Sequence, residues 1–305
     1  MIANRVAVGN EIVELAKKDE RICIVGSDIA VSVNFAPFMK EFPERYFDCG
    51  IAEQDMTGVA AGMASCGLIP VIASFSVFTS MRALDQLRNA IAYNNFNVKV
   101  IGSHAGLEPG QDGGTHQAIE DMAIVRALPN VTLLVPSTPN MAKAITDIAV
   151  ETEGPVYIRV GRDAVPEFYS DDETFTLGGS KEVRSGNDLT IIACGRMVER
   201  AMQAADILAA EGKSVRVIDM YSVKPIDKDA IIRAAKETGG IVTVEDHNIY
   251  GGLGGAVAEV CCESAPCKVL RVGINDVYGR TGQSKDLFEL HGLTVDHIVE
   301  VAKCI

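Results

Sequence analysis

Residues 48–75 read DCGIAEQDMTGVAAGMASCGLIPVIASF, a helical segment that leads into a continuous apolar run. The helical segment, 54–65, is rich in Ala, Gly and Met, so a helix here can pack closely on its neighbours. The run at 69–75 suits a strand that is buried on both faces, as the strands of parallel sheets are. The stretch therefore predicts an α/β fold in which helices cover a parallel sheet.

The same alternation extends along the chain in both directions. Further apolar runs predict strands at 21–25, 98–103, 131–136, 155–160, 188–194, 214–220, 240–246 and 268–274. Apolar periodicity predicts helices at 6–17, 54–65, 81–93, 118–127, 140–150, 198–210, 228–236 and 295–303. Repeated strand–helix units of this kind indicate mainly parallel sheets with helices on both faces, which is a three-layer α/β arrangement.

One segment interrupts the alternation. Residues 166–187, PEFYSDDETFTLGGSKEVRSGN, contain Pro, paired Gly and several acidic residues. Such a segment is typical of a connection between domains. We therefore expect two consecutive α/β domains, at 1–165 and 188–305, joined by a linker at 166–187.

Composition and charge exclude several classes of protein. The chain has 28 Lys and Arg against 41 Asp and Glu, a net charge of −13, which repels nucleic acid over most of the surface. No apolar run approaches the length of a membrane span, and the charged N-terminal segment does not resemble a signal peptide, so we expect a cytoplasmic protein with no membrane partner. No Cys–x–x–Cys motif or Cys/His pairing at zinc spacing occurs, and no metal site is predicted.

Glu53 stands at the beginning of the helix that is otherwise small and apolar. A carboxyl group placed there is expected to be sequestered from water. Burial raises the pKa of a carboxyl, which would let Glu53 stay protonated and donate a hydrogen bond at neutral pH. The alternative is a solvated acid that complements the positive end of the helix dipole.

A second unusual segment is the irregular stretch SHAGLEPGQDGGTHQAIED, which we call the 103–121 loop. Polar loops of this length in a compact domain are often functional. Asp112 lies four residues before His116, with two flexible glycines between them, so both side chains could reach one hydroxylated ligand. A zinc site and a solvated loop with incidental His residues are the alternatives.

Two aromatic residues, Phe75 and Phe78, stand where a strand turns into a helix; we call them the aromatic pair. They either fill the core or form a stacking surface for a planar ligand. The segment GGLGGA, at 251–256, follows a strand and opens a helix, but it lacks the G-x-G-x-x-G spacing of dinucleotide sites. We interpret it as a close backbone turn or a subunit contact.

Three motifs in this order resemble the C-terminal half of transketolase: GIAEQ at 50–54, F-x-x-F at 75–78, and SHAGL…DGGTHQ at 103–117. The resemblance covers the whole length, and it is closest to the second subunit of split transketolases. It implies a pyrimidine-binding domain that binds thiamine diphosphate, followed by a transketolase C-terminal domain.

The resemblance assigns a cofactor role to four residues. Glu53 matches the catalytic glutamate that hydrogen-bonds a ring nitrogen of the cofactor's aminopyrimidine and stabilises its imino tautomer. Phe78 matches the aromatic residue that stacks on this ring, with Phe75 beside it, and Asp28 matches an acid near the cofactor. Met81 stands where many members of the family carry a third aromatic residue.

The resemblance also assigns a substrate site. Asp112 and His116 match the pair that binds the sugar hydroxyls near the reacting carbons, and His116 is counted among the catalytic residues. The sugar phosphate is expected at four positions, which we call the anion cluster: Arg5, Ser32, His104 and Arg162. Two arginines can hold a phosphate through bidentate hydrogen bonds despite the overall negative charge.

The expected activity is transfer of a two-carbon ketol unit between a phosphorylated ketose and an aldose. No GDG motif for Mg²⁺ and the cofactor diphosphate occurs in the sequence. We therefore expect an N-terminal transketolase subunit as partner, which binds Mg²⁺, in an α₂β₂ assembly without which this chain is inactive. The alternatives are the β subunit of a 2-oxo acid dehydrogenase, a 1-deoxyxylulose-5-phosphate synthase-like enzyme, and a non-catalytic binding protein of the same fold.

Overall fold

The computed structural model describes all residues, Met1–Ile305. Its strands are β1 (Ile2–Ala3), β2 (Ile22–Gly26), β3 (Tyr46–Asp48), β4 (Ile69–Phe75), β5 (Lys99–Ser103), β6 (Thr132–Leu134), β7 (Val156–Arg159), β8 (Ala164–Val165), β9 (Lys181–Arg184), β10 (Leu189–Ala193), β11 (Val215–Asp219), β12 (Ser222–Lys224), β13 (Ile241–Asn248) and β14 (Val269–Ile274). Its helices are α1 (Asn4–Ala16), α2 (Ala36–Glu41), α3 (Glu53–Ser65), α4 (Leu84–Gln86), α5 (Asp121–Ala127), α6 (Pro139–Glu151), α7 (Met197–Ala210), α8 (Lys228–Glu237), α9 (Leu253–Ser264), α10 (Ser284–Leu290) and α11 (Val295–Ala302).

Two larger sheets organise these elements. The first has seven strands in the order β12-β6-β7-β5-β4-β2-β3, and every pair except β12–β6 is parallel. The second has five strands in the order β14-β13-β10-β11-β9, and every pair except β11–β9 is parallel. The predicted fold of two α/β units with mainly parallel sheets is confirmed.

The two antiparallel edge strands do not follow the predicted division of the chain. Strand β9 lies within the predicted linker and pairs with β11 of the second sheet. Strand β12 lies within the predicted second domain but extends the first sheet by pairing with β6. Both strands are short and partly polar, so neither shows the continuous apolar run by which the other strands were recognised. The domain boundaries themselves stay a prediction.

The predicted helix at 81–93 differs most from the structure. Two π-helical segments, Phe78–Arg82 and Leu87–Ala92, flank the short α4 there. A π-helical turn adds a residue to the helical repeat and is found frequently at functional sites. Here it connects the end of β4 with the helical layer that covers the first sheet.

Buried side chains form three apolar clusters, and one of them joins the two sheets. That cluster includes Met56 and Leu87 from the first half of the chain and Ile218, Leu253 and Val257 from the second. The two halves therefore share a core instead of meeting only at a polar surface. No helix of the structure is long and apolar enough to span a bilayer.

A network of charged residues, which we call the inter-domain ion cluster, lies between the two halves: Glu108, Asp121, Arg159, Arg196 and Asp246. Arg159 donates to Asp121 at 2.8 Å and to the backbone carbonyl of Asp246 at 2.9 Å, while Arg196 lies 3.1 Å from Glu108. Burial raises the pKa of Asp246 to about 7 and also raises the pKa of Glu108. The cluster holds one end of the 103–121 loop, because Asp246 accepts a hydrogen bond from the Leu107 N–H.

Candidate active site

The predicted site residues other than Arg5, which lies in α1, lie at or after the ends of parallel strands of the first sheet. Asp28 follows β2, the aromatic pair begins at the last residue of β4, and His104 follows β5. Strands β2, β4 and β5 are neighbours in the sheet, so their carboxyl ends are adjacent. Ligands of open α/β sheets bind at this edge.

Glu53 is the first residue of α3 and its side chain is buried, with 3 % exposed. Ser74 donates a hydrogen bond to Oε1 at 3.3 Å, and Arg82 Nη1 donates to Oε2 at 2.8 Å. The predicted sequestered carboxyl is therefore present. The structure adds a cationic partner, Arg82, that the sequence analysis did not include.

The aromatic pair is half-buried, and neither ring belongs to the buried core. The rings of Phe75 and Phe78 are nearly parallel, with 6.0 Å between their centroids. The guanidinium carbon of Arg82 lies 4.0 Å from the centroid of the Phe78 ring. A cation thus already lies over the face of Phe78, which favours the interpretation as a ligand-binding surface over that as core filler.

Two histidines connect the aromatic pair to the 103–121 loop. The ring of His104 stacks on Phe75 with 4.0 Å between centroids. His116 contacts both aromatic rings edge-on, at 5.3 Å from Phe78 and 6.0 Å from Phe75. The loop that was predicted to bind sugar hydroxyls therefore lies directly beside the predicted cofactor surface.

The structure brings the anion cluster together. Arg5 donates to the backbone carbonyl of Ser32 at 2.6 Å and to that of Arg162 at 3.2 Å. Burial, reinforced by the charges of Arg5 and Arg162, lowers the pKa of His104 to about 3. His104 is therefore neutral at physiological pH. Burial and the nearby charge of Arg162 also lower the pKa of Arg5. Arg5 and Arg162 thus place two guanidinium groups beside a neutral histidine, and an anion bound there would offset the repulsion between them.

Two site residues adopt left-handed backbone conformations, with φ of 60° at Asp28 and 54° at His104. Such conformations are uncommon for residues other than glycine and cluster at functional sites. Asp28 is exposed, and its N–H donates to the carboxylate of Asp48 at 3.1 Å. Asp112 is also exposed, in a short turn at Gly110–Asp112, and no hydrogen bond joins it to His116.

A segment of the second half, 279–284, packs against the 103–121 loop and was missed from the sequence. Gln117 Nε2 donates to the backbone carbonyl of Arg280 at 2.9 Å. A Cβ on Gly114 would lie 2.7 Å from the carbonyl oxygen of Gly279, so the close approach requires glycine there. The second half of the chain therefore supports the loop that carries Asp112 and His116.

The GGLGGA segment forms a close backbone turn, which is one of the two interpretations given for it above. The N–H groups of Leu253 and Gly254 donate to the carboxylate of Glu245 at 2.7 and 2.8 Å. Glu245 is fully buried, so an internal carboxylate takes the place of an anionic ligand at this helix N-terminus. A nucleotide has no free donors to bind at these positions.

The structure contains no group of three or more His, Cys, Asp or Glu side chains placed to hold a metal ion. The zinc interpretation of the 103–121 loop therefore has no third ligand. The larger clefts also lie elsewhere. One of about 450 Å³ is lined by residues of α1 and α6, among them Glu11 and Lys143, and includes none of the predicted site residues.

Arg82 was also missed from the sequence, and it is the missed residue that contacts both Glu53 and Phe78. It stands four positions after Phe78, a spacing that places two side chains on the same face of a helix. An arginine at that distance from an aromatic residue could have indicated the stacking contact. Its pairing with Glu53, 29 positions away, has no local signal.

Comparison with known proteins agrees with these features. Residues 1–167 match the family described as "Transketolase, pyrimidine binding domain", and residues 178–298 match the one described as "Transketolase, C-terminal domain". Fold and site are those of a protein that joins a pyrimidine-binding domain to a second α/β domain. The chain belongs to the transketolase family.

Several relatives have nearly the same length. A putative transketolase C-terminal section from Methanocaldococcus jannaschii is 44% identical over 97% of this chain and 94% of its own. A 6-deoxy-6-sulfo-D-fructose transketolase subunit from a Clostridium species is 39% identical, over 95% of this chain and 90% of its own. One of the apulose-4-phosphate transketolase subunits, from Phocaeicola vulgatus, is 39% identical, over 99% and 97%.

The solved structures include one described as "Split gene transketolase, inactive beta4 tetramer". It superposes with a TM-score of 0.91 at 44% identity and covers 99% of this chain, while this chain covers 97% of it. The chain is thus similar, over its whole length, to subunits of split transketolases.

Proposed function

We propose that this chain is the second subunit of a thiamine-diphosphate-dependent transketolase, which transfers a two-carbon ketol unit between phosphorylated sugars. The observation that carries the proposal is one continuous row of side chains. It begins with the buried Glu53 carboxyl, continues through Arg82 to the aromatic pair and ends at His104 beside the two arginines of the anion cluster.

The cofactor end of this row fits an aminopyrimidine ring. Glu53 offers a buried carboxyl for a ring nitrogen, and Phe78 offers a ring face over which the guanidinium carbon of Arg82 lies, 4.0 Å from the centroid. When bound, thiamine diphosphate supplies the carbon nucleophile for ketol transfer. The role of Glu53 is to bind and orient the ring and, while the ring is bound, to hold a proton at its carboxyl oxygen.

The substrate end of the row fits an anionic sugar. His116 contacts the aromatic pair and lies four residues after Asp112 of the exposed turn. We expect His116 and Asp112 to contact the sugar near its reacting carbons, which face the cofactor. The far end of the sugar then reaches Arg5 and Arg162, where bidentate hydrogen bonds can hold a phosphate. Neutral His104 can contribute a hydrogen bond without adding a third positive charge.

Exposed apolar side chains close to Glu53 in the sequence support the need for a partner. Phe47 and Ile51 lie shortly before Glu53 in the sequence and are 41% and 74% exposed. A subunit that binds the diphosphate and Mg²⁺ would cover this surface, in an α₂β₂ assembly. Two relatives are named as transketolase subunits, and the similar split-gene structure is described as inactive in its tetramer of one chain type.

The proposal is tested in a complex reconstituted from this chain and its N-terminal partner. The complex should convert xylulose 5-phosphate and an aldose phosphate in the presence of thiamine diphosphate and Mg²⁺, whereas either chain alone should not. Glu53→Ala should abolish turnover in the complex. Activity of this chain alone would contradict the partner requirement, and undiminished turnover of the variant would contradict the role of Glu53.

The class of substrate is tested in the same complex. Turnover of phosphorylated ketoses should greatly exceed decarboxylation of pyruvate, which lacks an anionic group that could reach Arg5 and Arg162. Preference for pyruvate would instead identify the complex as a 2-oxo acid enzyme. A ketose that carries a sulfonate in place of the phosphate offers a tetrahedral anion of similar shape but lower charge, so comparison of the two measures how the anion cluster discriminates.

A further inference from the structure

We propose that Arg82 is a placeholder for the cofactor: in the free chain its guanidinium occupies the position of the aminopyrimidine ring, and it moves away when the ring binds. This inference rests on the proposed function, because it uses the cofactor contacts assigned there to Glu53 and Phe78. It adds a residue to which the sequence motifs assign no role.

The geometry of Arg82 reproduces both contacts that are proposed for the ring. A guanidinium is planar, and its carbon lies 4.0 Å from the centroid of the Phe78 ring. Its Nη1 donates to Glu53 Oε2 at 2.8 Å. A stacked pyrimidine needs a similar separation from Phe78 and a hydrogen bond to the same carboxyl, so the ring and the guanidinium compete for the same space.

The environment of Glu53 explains why a placeholder is needed. Its side chain is 3 % exposed, and apart from Arg82 only the Ser74 hydroxyl contacts its carboxyl oxygens, at 3.3 Å. An ionised carboxylate that is buried without a partner is strongly destabilising. Without the cofactor, the Glu53 carboxylate would be buried and unpaired unless a cation such as the Arg82 guanidinium lay beside it.

The Arg82 side chain, unlike that of Glu53, can move away from the site. The Arg82 side chain is 46% exposed, and its hydrogen bonds are confined to Glu53. An arginine in this position can return to water with little loss, since its guanidinium becomes hydrated as it leaves. The π-helical segment Phe78–Arg82 brings the arginine over the same ring that the cofactor requires.

The pair is tested first in the free chain by urea unfolding, without cofactor or partner. Arg82→Met should lower the unfolding midpoint, because the methionine keeps much of the length of the side chain and removes its charge. Glu53→Gln in the same chain should restore the midpoint, whereas Glu53→Gln alone should change it little, since Arg82 can be hydrated. Arg88→Met is the control, because Arg88 is exposed and bonds only the side chain of its neighbour Asn89.

The displacement is tested by calorimetric titration of the reconstituted complex with thiamine diphosphate and Mg²⁺. Removal of the competitor should make Arg82→Met bind the cofactor about three- to tenfold more tightly than the unaltered complex. Arg88→Met should bind with unchanged affinity. Equal or weaker binding by Arg82→Met would overturn the placeholder, and weaker binding would identify Arg82 as a cofactor contact instead.

The two measurements separate failure of this inference from failure of the proposed function. If the unaltered complex binds no thiamine diphosphate, the proposed function fails, while the unfolding experiment still decides whether Arg82 neutralises Glu53. If Arg82→Met does not accumulate as a folded chain but the double variant does, the pairing is supported. An unchanged midpoint in Arg82→Met would overturn it.

Discussion

The molecule contains two pairs of a buried carboxylate and an arginine that have the same separation but different surroundings. In the candidate site, Arg82 lies 2.8 Å from Glu53; in the inter-domain ion cluster, Arg159 lies 2.8 Å from Asp121. Both carboxylates are buried, with 3 % and 0 % of the side chain exposed. The arginines differ, because Arg159 is 7 % exposed and Arg82 is 46% exposed.

Their other contacts differ in the same sense. Arg159 also donates to the backbone carbonyls of Ala118 and Asp246, and its three partners come from both halves of the chain. Arg82 has one hydrogen-bonded partner and one aromatic ring. A cation that is fixed on every side supports the fold, whereas one that faces water can be exchanged for a ligand. The exposure of the cation therefore distinguishes a structural pair from a functional one.

The largest expected effect is the loss of the fixed cation. Arg159→Met should lower the free energy of unfolding of the free chain by about 3–5 kcal/mol, because Asp121 is left buried and unpaired. Arg82→Met should lower it by less, about 1–2 kcal/mol, because water can reach the opened site. Urea unfolding of both variants at one pH makes the comparison. Equal losses would mean that exposure of the arginine does not separate the two pairs.

The second prediction concerns an exposed arginine whose expected effect lies in binding. Arg162→Ala should raise the KM of the reconstituted complex for phosphorylated sugars, since loss of a charged hydrogen bond costs about 1.5–3 kcal/mol. The free energy of unfolding should change by less than about 0.5 kcal/mol, because Arg162 is exposed. Steady-state kinetics and urea unfolding of the same variant check both parts. A large loss of stability with unchanged KM would mean that Arg162 supports the fold, as Arg159 does, and does not bind the substrate.

The contrast also shows what sequence reasoning can and cannot predict. Continuous apolar runs predicted strands such as β4 and β5, because burial on both faces leaves a strong local pattern. Glu53 at the beginning of α3 was recognisable because a charged residue opens a small, apolar helix.

The pairs themselves have no such signal. Arg82 is 29 residues from Glu53, and Arg159 is 38 residues from Asp121. Which arginine meets which carboxylate depends on how strands and loops pack, and a single sequence carries no local trace of it. The contact of Gln117 with Arg280, which are 163 residues apart, has the same origin.

The third prediction concerns the pH dependence of stability that the inter-domain ion cluster should cause. Burial raises the pKa of Asp246 from 3.8 to about 7, so between these values the folded chain holds a proton that the unfolded chain has lost. This contribution favours folding at the acid end and is lost as pH rises from about 4 to about 7, by about 1 kcal/mol per pH unit. Asp246→Asn should therefore show a flatter decline of stability between pH 5 and pH 7. Parallel curves for variant and unaltered chain would contradict the assignment.

The smallest expected effect comes from an ion pair at the surface. Lys303 lies 2.7 Å from Glu211, a separation similar to that of the two carboxylate–arginine pairs. The side chains of Lys303 and Glu211 are, however, 47% and 45% exposed. Lys303→Ala should change the free energy of unfolding by less than about 0.5 kcal/mol, because solvent screens the pair and both groups stay hydrated when it is broken. Urea unfolding beside Arg159→Met gives the measurement. A loss of about 1 kcal/mol or more would show that the distance between the charges, and not their exposure, sets what each pair contributes to the free energy of unfolding. Exposure would then not distinguish a fixed arginine from an exchangeable one.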